Sequence, residues 1–84
     1  MGNVRWSELK SKRLKKTRGV SFEEIIEQRF IAVEGHPKIE YQKIMLYEYK
    51  DYVWAVPFVE DEQGVFLKTL YPSRKHTKKY LKKD

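Results

Sequence analysis

The sequence predicts an α+β domain, and three observations carry that prediction. Two capped segments with helical spacing open the chain, alternating bulky and polar residues fill its middle, and a third capped segment rich in lysine follows Pro72. The expected order is α-α-β-β-β-β-α: two N-terminal helices, an antiparallel β-meander of about four strands with the helices on one side, and a C-terminal helix. At 84 residues the chain has room for one small domain, spanning residues 1–84, and must build its core economically.

Ser7 precedes ELKSKRLKKT, ten residues rich in good helix formers, and Gly19 lies just beyond the last turn, so the spacing predicts a first helix with an N-cap and a C-cap. Its apolar edge is thin, consisting of Leu9, Leu14 and the stem of Arg13. In VSFEEIIEQRF, Ser21 and Glu24 form the S-x-x-E capping box and Val20 and Ile25 the hydrophobic staple, which starts a second helix at Phe22. Phe22, Ile25, Ile26 and Arg29 or Phe30 then share one face, read as core. Glu23 and Glu24 complement the helix dipole and receive no chemistry.

From Phe30 the period changes to two. IAV reads as a short strand, GHP as a turn, IEYQKIMLYEY as a strand, KD as a tight turn, YVWAVPFVE as a strand and VFLKTLY as another. Pro57 places its strand at an edge or near an end. Ser73 caps a last helix, RKHTKKYLKK, on which Thr77, Tyr80 and Leu81 form the docking face while Arg74, Lys75, Lys78 and Lys79 fan around the rest.

The net charge of +6 is unevenly spread: residues 1–18 carry +6, residues 19–72 carry −5 and residues 73–84 carry +5. Two basic ends around an acidic middle describe one electropositive surface wherever the fold brings the ends together, and such a surface attracts polyanions. No cysteine is present, which removes disulfides and thiolate metal sites. The two histidines, His36 and His76, are far apart in the chain, so no metal and no cofactor is expected. No apolar run is long enough for a membrane span and MGNVRWSELK lacks a signal-peptide core, so a cytoplasmic protein without membrane partners is expected.

Phosphate chemistry without metal remains open to these residues. RNA carries its own nucleophile, the 2′-OH, so positioning, proton transfer and charge stabilisation suffice to cleave it. His76 and Tyr80 are four residues apart and therefore on one helical face, with Arg74 and Lys75 within a turn. Arg74 is suited to a bidentate phosphate grip and His76 to proton exchange near neutral pH. The structural alternative makes Tyr80 a helix anchor and His76 an exposed polar residue. Aromatic rings among basic residues also suit base stacking without cleavage.

Trp6, Lys10, Arg18-Gly19 and VSFEE stand in an order and spacing that resemble the BrnT family of type II toxin–antitoxin toxins, small ribonucleases related in fold to RelE. The likeness resumes at Arg74-Lys75-His76-Thr77-Lys78-Lys79, while the middle matches in strand pattern and length. The chain departs from the family at Arg18, where a His is usual, at Leu14, where an Asn is usual, and at Tyr80, which replaces a Glu. The resemblance implies a metal-independent endoribonuclease that cleaves RNA, mRNA included, on or off the ribosome, and inhibits translation. It also implies a cognate antitoxin of ribbon-helix-helix type that covers the basic surface. On this reading Arg74, His76 and Tyr80 are the catalytic candidates, with Lys10, Lys12, Arg18, Lys43 and Lys75 binding RNA phosphates. Two rival readings stand beside it: a non-catalytic RNA- or DNA-binding module using the same surface, and an interaction protein whose basic ends meet an acidic partner.

Overall fold

The structure, a computed structural model, describes residues 3–82. Helix α1 runs over Glu8–Arg18, and both of its expected caps are formed: the Ser7 hydroxyl accepts from the Lys10 amide, and Gly19, at φ 84°, donates its amide to the Lys15 carbonyl. The buried edge differs from expectation. Leu9 is 71% exposed, and Ser11 takes the inner place beside Leu14. Ser11 is the joint to the next element, because its hydroxyl donates to Glu23 Oε1 (2.5 Å) and accepts from the Phe22 amide (3.0 Å).

Helix α2 is a single turn, Phe22–Ile25, where eleven residues of helical spacing promised more. The capping box is complete, and Val20, Phe22 and Ile25 are fully buried. Its C-terminus is closed by turn hydrogen bonds and by Gln28 Nε2 on the Glu24 carbonyl. Arg29 and Phe30 leave the helical face to pair with Glu48 and Tyr47. Long-range strand pairing here overrides the local helical pattern.

The strands are β1 (Asn3–Arg5), β2 (Arg29–Gly35), β3 (Lys43–Tyr49), β4 (Tyr52–Asp61), β5 (Gly64–Leu67) and β6 (Tyr71–Pro72), followed by α3 (Arg74–Leu81). They form one six-stranded sheet in the order β1-β5-β4-β3-β2, with β6 also beside β4. β1 lies parallel to β5, so the sheet is mixed and not purely antiparallel.

Helices cover both faces, which corrects the expectation of helices on one side. Under α1 and α2 lie Tyr47, Val56, Phe58, Leu67 and Leu70, with Met45, Tyr49 and Trp54 packed against them. Under α3 lie Ile44, Leu46, Val53 and Ala55, packed by Ile31, Tyr71, Tyr80 and Leu81. β3 and β4 are therefore apolar on both sides, the pattern of a strand buried in the middle of a sandwich of layers.

Pro57 consequently lies in the sheet's central strand, not at an edge. It pairs with Ile44 of β3, and its carbonyl accepts from the Lys68 amide on the other side (2.8 Å). A strand residue points its N–H and C=O to the same side, so the missing donor faces Lys68–Leu70, the stretch where β5 has ended and β6 has not begun. The proline thus divides the expected VFLKTLY strand in two.

Candidate nucleic-acid interface

The polar connections that seat α3 set the geometry of this end of the molecule. Ser73 donates its amide to the Val53 carbonyl (2.8 Å), and the Val53 amide donates to Thr77 Oγ1 (2.8 Å), so the first turn of α3 is clamped to β4 two residues from the β3–β4 turn. The Ser73 hydroxyl accepts from the His76 amide and lies 2.6 Å from His76 Nδ1. With that hydroxyl donating to Nδ1, the neutral ring holds its proton on Nε2 and directs it at Glu34 Oε1, 3.1 Å away. Lys79 and Tyr80 both donate to Glu34 Oε2. The Lys79 hydrogen bond, then that of Tyr80, with help from His76, lowers the Glu34 carboxyl from 4.5 to about 2. The same carboxylate raises the Tyr80 phenol and Lys79 ammonium above their ordinary values.

Among the catalytic candidates, His76 and Tyr80 do share a face, and that face is turned onto Glu34 of β2 and not to solvent. His76 is 8% exposed with both ring nitrogens engaged. Arg74 and Lys75 are exposed at the start of the helix and, among the described residues, form no ion pair.

The phosphate-binding candidates are divided by the fold. Arg18 lies beside the β3–β4 hairpin, the end of the sheet to which the first turn of α3 is tied, although α1 and α3 pack on opposite faces. Lys10 lies eight residues back along α1, about 12 Å at the helical rise. Lys12 flanks a depression shared with Glu8 and Glu23. Lys43 pairs with Glu60 (3.3 Å) at the far end of β3, roughly 23 Å from the hairpin at the strand rise, and does not join the group.

Between Arg18 and the hairpin lies a cleft of about 410 Å³, lined by Arg18, Gly19, Tyr49, Lys50, Tyr52, Trp54 and Pro72. Lys50 and Asp51 are the two turn residues, at φ 53° and 62°. The left-handed turn suits the twist of a hairpin, but a side chain there costs about 1 kcal/mol per residue. It places Lys50 Nζ 5.4 Å from the Tyr49 ring centroid, while Tyr49 and Trp54 meet edge to face at 6.2 Å. Pro72 pairs with Trp54 and leads through Ser73 into α3, so the cleft and the exposed Arg74 are neighbours. The sequence predicts KD as a turn but gives Lys50, Tyr49, Tyr52 and Trp54 no place in a site. The usable signal was a charged residue in a turn position that Asn or Gly fills at lower cost.

No family model, characterised protein or solved structure matches this chain. No helix among the described residues is long and apolar enough to cross a membrane.

Proposed function

We propose that this protein is a BrnT-like, RelE-related ribonuclease toxin of a type II system: a metal-independent endoribonuclease neutralised by a ribbon-helix-helix antitoxin that covers its basic surface. The observation that carries the reading is the convergence of two cationic segments at one end of the sheet. Arg18 closes α1 there on one face, Arg74 and Lys75 open α3 on the other, and the cleft that Arg18 and Lys50 share with Pro72 is lined by no carboxylate. Such a surface holds a phosphodiester chain, and two arginines beside it supply charge to a five-coordinate phosphorus. Arg74 and Arg18 bind and neutralise the phosphate, with Lys75 extending the grip. His76 moves a proton once it is released from Glu34, and Tyr80 supports it.

A second reading is favoured by one specific observation. Both ring nitrogens of His76 are occupied, which suits a module that binds RNA or DNA and leaves it intact. Induced expression of wild type beside Arg74→Ala and His76→Ala, with growth followed and total RNA examined for fragments, separates the two. The toxin reading expects arrest and cleavage from wild type and loss of both in Arg74→Ala. Neither arrest nor fragments from soluble wild type, with RNA retained on the purified protein, assigns the binding module, and unchanged arrest in Arg74→Ala sinks the proposed site.

A further inference from the structure

The hairpin cleft differs from two other depressions of the surface in the chemistry of its walls. The depression around Asn3, Arg5 and Gly64 is ringed by Glu60, Asp61 and Glu62, and the one beside α1 contains Glu8 and Glu23. The first repels a polyanion; the second sets Lys12, Lys15 and Lys16 against its two carboxylates and has no aromatic ring in its walls. The hairpin cleft has three aromatic rings, a proline and two cations, and among the described residues neither Arg18 nor Lys50 has an ion-pair partner.

Resting on the nucleic-acid reading above, we propose that this cleft is a nucleobase subsite: it takes one unpaired base of a single-stranded RNA onto Tyr49, Tyr52 and Trp54, while Arg18 and Lys50 hold the adjoining phosphates. Size supports a single nucleotide, since about 410 Å³ falls in the range of small-ligand pockets, about 300–1,000 Å³, and is too narrow for a duplex. Geometry supports stacking. The rings of Tyr49 and Trp54 are half-buried and set at 73° to one another, so they form two non-parallel walls of the cleft, with Tyr52 beside them. Chemistry excludes base-paired RNA, whose bases already stack on neighbours and cannot reach a ring without being splayed out. Lys50 marks the site independently. A hairpin turn would form at lower cost with glycine, and the conformation retained here sets a cation at the cleft's rim, above an aromatic face. Pro72 leads within two residues to Arg74, so a strand whose base occupies the cleft passes its next phosphate toward the start of α3. The subsite therefore selects where along an RNA the scissile phosphate falls.

The test uses the full chain and two fluorescein-labelled probes of equal length and charge: a single-stranded RNA hexamer and the same ribose-phosphate chain without bases. Wild type is expected to bind the base-bearing probe about tenfold more tightly, the scale of one base–aromatic stack. Tyr52→Ala is expected to abolish that preference and leave the abasic affinity unchanged, whereas Arg74→Ala weakens both probes alike. A free nucleoside monophosphate is expected to bind far more weakly than the hexamer. Equal affinity of the monophosphate and hexamer makes the cleft a free-nucleotide site and overturns the RNA assignment. Equal binding of the two chains by wild type, or a uniform loss in Tyr52→Ala, overturns the base subsite while the cationic surface stands. No binding of either chain overturns both. Should Tyr52→Ala fail to fold, Lys50→Gly, which suits the left-handed turn, is expected to lower the slope of log affinity against log salt by about 0.7; an unchanged slope counts against the subsite.

Discussion

Helices α1 and α3 each commit one lysine to a carboxylate on another element, Lys15 to Glu24 and Lys79 to Glu34, both at 2.8 Å, and the two pairs sit in very different surroundings. Glu24 has Lys15 and its own capping box around it, and the α1–α2 junction rests mainly on the buried hydroxyl of Ser11. Glu34 collects a lysine, a tyrosine and a histidine from one helix, and α3 has few apolar contacts beyond Tyr80 and Leu81. Two basic helices with similar composition are thus held by unlike forces: one by capping and a neutral hydroxyl, the other by a charged hub. Both respond to acid, since Ser11 holds the Glu23 carboxyl and Lys15 the Glu24 carboxyl below their ordinary values, but the second turns on one carboxylate lowered to about 2.

The largest effect should come from removing that hub. Glu34→Ala leaves His76 and Tyr80 facing a void and deletes three hydrogen bonds to a charged group, so a loss of about 2–4 kcal/mol is expected in urea unfolding. A loss near zero would mean that α3 is held by Val53 and packing alone. Acid sharpens the same contrast. The folded Glu34 carboxyl lies at about 2 against an ordinary 4.5, so its stabilising contribution is full above about 4.5 and declines as pH falls from there through about 2. Denaturant midpoints measured across that window should fall in wild type and flatten in Glu34→Gln; equal slopes would remove Glu34 from the account.

Thr77→Val comes next. It leaves the buried Val53 amide without its acceptor, and about 1–3 kcal/mol should be lost together with protection of that amide from hydrogen exchange. On the other helix, Ser11→Ala strips the Phe22 amide of its acceptor and should cost about 1–2 kcal/mol without altering the acid profile of α3. The whole-protein acid profile should flatten in part as well, because the Ser11 hydroxyl is the main group holding the Glu23 carboxyl below its ordinary value.

Caps were the most legible part of the fold. Ser7, Gly19, the Ser21–Glu24 box and Ser73 each act through neighbours a few residues away, so the sequence contains all the partners of each interaction. The length of α2 was not legible, because Arg29 and Phe30 pair with residues nearly twenty positions on. β1 was missed for the same reason: Asn3–Arg5 has no local strand pattern and takes its conformation from β5. The two-sided covering of the sheet could have been read, since Ile44 and Leu46 alternate with Met45, Tyr47 and Tyr49, and both sets need a cover. In the site, the shared face of His76 and Tyr80 followed from helical spacing, but Glu34 as its partner did not. Nothing in VEG distinguishes that carboxylate from the others.

The parallel pairing of Asn3 with Gly64 sets a schedule for the newborn chain. At about 5–20 residues per second, roughly 3–12 s separate synthesis of β1 from synthesis of β5, its partner among the described residues, and α3 comes later still. A ribosome that has made the chain only through β5 therefore holds Arg18 without Arg74, and the cationic end is completed only once α3 has followed.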